Sequence, residues 1–259
     1  MTRTVVCVKW VASASDLLVD PATRSIDAGR AHRAISEYDR NTVEAARVVA
    51  AHVGGDLVGL TFGGPEAAPA LKEVLARGAD RAIHVVAPED ARIDGHVTAH
   101  ALAAQIGRIG DVGLVLCTEG ASDTYAHETG PRVGELLGWP VVTNVRELGV
   151  EGTTLHAVRV LGDVLETVEC GLPAVVTVVP EIGPAPIPGL KALLGAGRKP
   201  SEQVPVGDLG LPDHALTPRT TVTSLLGFVA QRKRIRIADG DAREKVAALM
   251  SGLAQEGVL

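Results

Sequence analysis

Residues 113–140, GLVLCTEGASDTYAHETGPRVGELLGWP, are the stretch whose reading decides the fold. The apolar run Gly113–Cys117 is too short for a helix and is bounded by turn residues, so it reads as a buried strand. A polar loop, Thr118 to Glu128, follows. Thr129-Gly130-Pro131 then offers an N-cap, Thr129, with a proline two residues on, ahead of the helix-like RVGELLGW. A strand, a loop and a helix start in that order bring unpaired N–H groups and the positive end of a helix dipole to one place. That place suits an anionic group. If the place is used, Asp123 accepts from a ribose or amino group and Thr129 with the Gly130 N–H faces a phosphate; if not, Asp123, His127 and Glu128 are ordinary surface residues. Every α/β chain has several such junctions and most are empty, so spacing alone leaves its use open.

Working outward, strands and helices alternate. Thr4–Val11 is a β-branched run without clean alternation, the pattern of a central strand covered on both faces. The connection Ala12 to Arg33 is long enough to be functional or to form a unit of its own. Ser36-Glu37-Tyr38-Asp39 leads into an Ala-rich helix with Val43, Ala46, Val49 and Ala50 on one stripe, ended by Gly54-Gly55. Strands Leu57–Phe62 and Ala82–Val86 flank a helix predicted over Glu66–Ala76, and another helix spans about Gly95 to Gly107. These spacings suit right-handed parallel crossovers, so the expected fold class is α/β with a doubly wound, mostly parallel sheet.

After Pro140 the pattern changes. Val141–Leu148, Thr154–Leu161 and Leu165–Cys170, separated by Gly-rich turns, predict a late antiparallel meander at about 141–171, and the apolar run Ala174–Val179 rejoins the main sheet. Prolines then punctuate the chain, and helix and strand signals fade. The expected organisation is a domain over 1–200 and an arm over 201–259. The arm ends in an amphipathic helix, Asp241 to Gln255, with Val246, Leu249, Met250 and Leu253 on one side. Such a stripe calls for cover, from a partner subunit or from the chain's own body.

The composition excludes several function classes. Six aromatic residues in 259, and a net charge of −6, argue against a nucleic-acid surface. No apolar run is long enough for a membrane span, and the opening MTRTVVCVKWV enters a strand at once without a leader pattern. Cys7, Cys117 and Cys170 are far apart and odd in number, which suits reduced cysteines of a cytoplasmic protein. His96 and His100 have the spacing of a zinc pair but no intervening acid, and read as residues of a solvated helix face. The run Arg232-Lys233-Arg234-Ile235-Arg236 reads as a solvated edge, or as a contact for an acidic partner or a phosphate. The Rossmann, P-loop and nucleophile-elbow patterns are missing.

Several segments, in one order, resemble the β subunit of electron transfer flavoproteins: VVCVKWV, SEYDRNTVEAA, GADRAIHV, GASDTYAHETGPRVGELLGWP, LETVECGLPAVVTV, Lys199-Pro200 and the tail RIADGDAREKVAALMSGL. The resemblance implies an adenine-nucleotide alpha-hydrolase-like fold and an electron carrier without bond chemistry of its own. It implies a heterodimer with an α subunit that holds most of the FAD, and AMP or a second FAD on this subunit. Carried over by position, the nucleotide contacts fall on Cys7, Ser36, Glu37, Tyr38, Asp39 and Gly63, and in the loop on Thr118, Gly120, Ala121, Ser122, Asp123, Thr124, His127, Glu128, Thr129 and Gly130. The segment at about 183–200 corresponds to the part that docks partner flavin dehydrogenases, with Leu190 at the docking leucine. Departures are Gly183-Pro184-Ala185-Pro186-Ile187 where the family usually reads N-E-P-R-Y, Glu37 for a common proline, and a loop whose repeated aspartates shrink to Asp123.

Two rival readings carry their own expectations. A stand-alone adenine-nucleotide sensor of the universal-stress type shares the sheet but lacks the meander and the arm. An adenylating enzyme needs a Ser/Gly-rich pyrophosphate loop after the first strand, where Trp10 to Ser15 offers serines and no glycine.

Overall fold

The apolar runs become neighbouring strands of one sheet in a computed structural model that describes residues 3–230 and 232–259. Met1 and Thr2, which open the N-terminal run, lie outside them. The nine strands are β1 (Arg3–Cys7), β2 (Leu57–Gly63), β3 (Arg81–Val86), β4 (Val112–Thr118), β5 (Val141–Glu151), β6 (Thr154–Leu161), β7 (Val164–Gly171), β8 (Ala174–Val178) and β9 (Ser201–Pro205). Their spatial order is β7-β6-β5-β8-β4-β1-β2-β3-β9. All neighbours are parallel except β5-β6 and β6-β7, the meander.

The long helices are α1 (Glu37–Val53), α2 (Pro69–Ala76), α3 (Gly95–Ile109) and α4 (Thr129–Leu137). Shorter ones are α5 (Leu190–Ala196) and α6 (Asp213–Leu216), and α7 (Ala242–Gln255) comes last. Val43, Ala46, Val49 and Ala50 of α1 join Leu71, Val74 and Leu75 of α2 in one core cluster. Leu102 and Ile106 of α3 join Val133 of α4 in a second, with Val5, Val58 and Val115 from the strands. Each fully buried Val or Leu contributes ~1.5–3 kcal/mol, so two such layers hold the sheet on both faces. Gly54 and Gly138 take left-handed conformations (φ 67° and 68°) and end α1 and α4.

Three differences from the sequence reading have local causes. The first strand stops at Cys7, and Trp10–Ala12 pairs instead with Arg33–Ile35. Lys9 marks the exit: its N–H donates to Asp39 Oδ2 (2.6 Å), and its carbonyl accepts from the Ser36 N–H (2.9 Å). The helix expected over Glu66–Ala76 divides into a 3₁₀ turn, Pro65–Ala67, and α2, with Pro69 opening the latter. The sheet also runs past residue 200. Ser201–Pro205 adds an edge strand beside β3, and Lys199 Nζ fixes its entry by donating to the carbonyls of Ala79 (2.7 Å) and Leu75 (3.1 Å).

The chain divides into two units. The first, Met1–Leu18 with Asp27–Leu225, contains the whole nine-stranded sheet. The second, Val19–Ile26 with Leu226–Leu259, is joined by the Gly227 N–H donating to the Arg24 carbonyl (2.7 Å) and Arg24 Nε donating to the Gly227 carbonyl (3.0 Å). Within it α7 has a capping box between Asp241 and Glu244, and Val246, Leu249 and Met250 of its apolar stripe stay exposed.

Candidate functional site

Strand order fixes where a ligand site forms. The chain runs from β1 outward through β2 to β3, then returns to the other side of β1 as β4, so the winding reverses between β1 and β4. In open α/β sheets the crevice at the carboxyl ends of such strands is the expected binding place. A cavity of about 740 Å³ opens there. Its floor is Cys7 at the end of β1, Phe62 and Gly63 at the end of β2, and Cys117 and Thr118 at the end of β4. The loop after β4, the first residues of α3 and α4, and the segment Pro218 to Val222 form its walls.

Of the residues expected to contact a nucleotide, the cavity is lined by Cys7, Asp39, Gly63, Thr118, Gly120, Ala121, Thr124, His127, Glu128 and Thr129. The others stand behind or beside it. Ser36 is buried and accepts from the Ser122 N–H (3.2 Å), tying the start of α1 to the loop. Glu37 is exposed. Tyr38 sets its ring 5.8 Å from that of Tyr125. Asp123 is held by Lys9 Nζ (2.7 Å), beside Thr124 and Lys9 of the cavity wall rather than in the wall itself. Gly130 is buried against the sheet, where an added Cβ would overlap Thr177 Cγ2.

The N-cap reading of Thr129 is corrected. Thr129 is the first helical residue, and Glu128 holds the cap position without bonding the backbone, because its carboxylate turns to Arg132 Nε (2.9 Å). The first N–H groups of α4 therefore carry no side-chain cap. At α3 the opposite holds. Asp94 Oδ1 accepts from the Val97 N–H (2.9 Å), while its Oδ2 accepts from the N–H groups of Arg219 (2.7 Å) and Thr220 (3.0 Å) and from Thr220 Oγ1 (3.1 Å). Burial alone would raise the Asp94 carboxyl, but these donors outweigh it and hold it at about 2. Of the two helix starts, α4 is the one left for an anionic group.

Three floor groups set the chemistry. Asp39 is 2% exposed, and burial raises its carboxyl to about 7 against the Lys9 N–H bond that favours the charged form. The Cys7 thiol, free, buried and hydrogen-bonded to Cys117, is pushed well above its ordinary value. Thr118 Oγ1 is buried and has no hydrogen-bond partner among the described residues. Such a hydroxyl is costly unless something satisfies it.

The loop over the floor is held in an uncommon backbone shape, with Tyr125 (φ 47°) and His127 (φ 56°) both left-handed. Tyr125 donates to Glu119, which pushes its phenol up to about 12, and its ring covers Gly120 where an added Cβ would lie 2.6 Å away.

Sequence reasoning missed several lining residues, among them Trp10, Phe62, Asp94 and Thr220. Only proximity in the fold identifies them. The solvated-face reading of His96 and His100 is also corrected: His96 is buried and its Nε2 donates to the His214 carbonyl of α6 (3.0 Å). The two rings meet edge to face at 4.4 Å. Among the described residues no group of three or more His, Cys, Asp or Glu side chains is arranged to hold a metal ion. No helix among them is long and apolar enough to cross a membrane. Leu190, at the start of α5, is 72% exposed.

Residues 11–209 match the electron transfer flavoprotein domain, a span of about three quarters of the chain that includes eight of the nine strands and every helix start around the cavity. The chain belongs to the electron transfer flavoprotein family.

Proposed function

We propose that this chain is the β subunit of a heterodimeric electron transfer flavoprotein with an adenine-nucleotide alpha-hydrolase-like fold, acting in the cytoplasm. It passes electrons from flavin dehydrogenases, such as acyl-CoA dehydrogenases, to a downstream acceptor through an FAD held mainly by the α subunit. Its own cavity takes AMP or a second FAD. The observation that carries this reading is the pairing, at the switch point of the sheet, of an uncapped α4 start with the buried, unpartnered hydroxyl of Thr118. A volume of about 740 Å³ is in the range of small-molecule sites.

The residues present fit an adenylate. The first N–H groups of α4 would hold its phosphate, Thr118 Oγ1 would bond a polar group at the floor, and Trp10 and Phe62 offer apolar surface to a planar base. When bound, a flavin supplies the redox chemistry. The chain's own part is to orient and to exclude water: Ser36 and Tyr125 fix the loop, and Asp94 fixes the facing wall. Exposed Leu190 is available for docking a dehydrogenase. The meander and the second unit favour this reading over a stand-alone nucleotide sensor, which calls for neither.

Co-expression with an α-type subunit should give a yellow 1:1 complex whose colour bleaches on reduction, and denaturing it should release AMP or FAD beyond the flavin of the α subunit. A colourless preparation eluting as two separate proteins would sink the proposal. Thr118→Val is the finer test. It removes a hydroxyl that has no partner inside the protein, so the melting temperature should hold while AMP affinity falls about tenfold.

A further inference from the structure

A second, smaller cavity of about 240 Å³ lies between α1, the end of α2 and residues 185–189. Three arginines line it: Arg40 and Arg47 from α1, and Arg77 after α2. Two carboxylates answer them. Glu44 is taken by Arg47, whose Nη2 and Nε donate to its two oxygens (2.6 and 2.9 Å). Glu73 is spread thin. Its Oε2 accepts from the Ile35 N–H (3.1 Å), and its Oε1 accepts from Arg77 Nη2 (3.2 Å) and Nε (3.3 Å). Arg40 Nε stands 3.5 Å from the same Oε1 without a hydrogen bond, and is buried with no acceptor among the described residues. The remaining wall, Ala185 to Gly189, brings no acid; its Pro186 carbonyl accepts from Arg77 Nη1 at 3.3 Å.

The corner thus holds one positive charge more than its carboxylates neutralise, and one guanidinium N–H that nothing satisfies. Burial pulls the Arg77 guanidinium below its ordinary value against the pull of Glu73, and the Arg40 charge adds to the lowering. An acceptor oxygen placed among the three guanidinium groups would relieve both, and guanidinium forks suit the oxygens of phosphate and carboxylate groups. We infer that this cavity is a binding site for one small oxyanion, a phosphate group or a carboxylate, held by Arg40 together with Arg47 and Arg77. The bound anion braces residues 185–189 from beneath, next to exposed Ile187 and Leu190. The inference does not depend on what occupies the larger cavity.

The test is calorimetric titration of the full chain, at fixed ionic strength, with inorganic phosphate and separately with acetate, in wild type, Arg40→Gln and Arg47→Gln. Wild type should bind at least one of the two anions, and each substitution should weaken binding about tenfold or more. A response to phosphate alone assigns a phosphate group, and an equal response to acetate assigns a carboxylate such as an acidic side chain of a docked protein. The same anion should slow tryptic cleavage at Lys191, in exposed α5, for wild type only. Absence of binding by either anion, or equal binding by wild type and both variants, overturns the inference.

Discussion

Asp39→Asn is expected to stabilise the folded first unit by ~4 kcal/mol at about pH 8 and to leave it unchanged at about pH 3. The carboxyl is fully buried, and its value rises from the ordinary 3.8 to about 7, because burial outweighs the Lys9 N–H and the Lys9 charge; Asp123 and Glu73 push the same way as burial. A raised acid is an advantage only while protonated. Its contribution is fully present below 3.8 and is lost as pH rises to about 7, above which the native state carries a buried carboxylate at full cost. Asparagine keeps an acceptor for the Lys9 N–H and turns its amide toward the cavity. Urea midpoints across that pH range check the point. A difference between the two proteins that stays flat with pH would show that Asp39 is not the group responsible.

Combining Gly130→Ala with Gly134→Ala is expected to cost about 2–5 kcal/mol, against the usual direction for glycine in a helix. An added Cβ at Gly130 would overlap Thr177 Cγ2 of β8, and one at Gly134 would overlap Val141 Cγ2 of β5, so the two glycines let α4 lie flush on the sheet. Gly107 of α3 is the control, since nothing lies within 4 Å of a Cβ there, and its change to alanine should stabilise by up to ~1 kcal/mol. Lifting α4 also shifts its uncapped start, so nucleotide affinity should fall with stability in the double variant. Denaturant unfolding of the double variant and of the Gly107→Ala control decides it. A neutral double variant would mean that the helix seat is not set by these glycines.

The fold was legible where one physical pattern dominated. Short apolar runs marked β2, β4 and β8, which are buried over most of their length, and short segments between Gly-rich turns marked the meander. The edge strand Ser201–Pro205 was not legible. Its polar sequence is what an edge needs, and only the pairing with β3 makes it a strand. At the site, the loop after β4 announced itself through its strand-loop-helix order. The cap did not, because Arg132 draws Glu128 away from the backbone while Thr129 enters the helix. Trp10, Phe62 and Asp94 reach the cavity from three distant parts of the chain, and nothing local in their sequences signals it. His96 reads as a solvated residue for want of any local apolar signal, and its carbonyl partner in α6 lies more than a hundred residues later.

The grip of Asp94 on Arg219 and Thr220 has a consequence for inheritance. The family match ends at residue 209, whereas the stretch that closes the cavity opposite β4 begins at Pro218. A relative truncated at the end of the matched region would keep its sheet and lose one side of the chamber. What the chamber admits is therefore set in part by residues beyond the matched region, and exchanging the tail should change the ligand before it changes the fold.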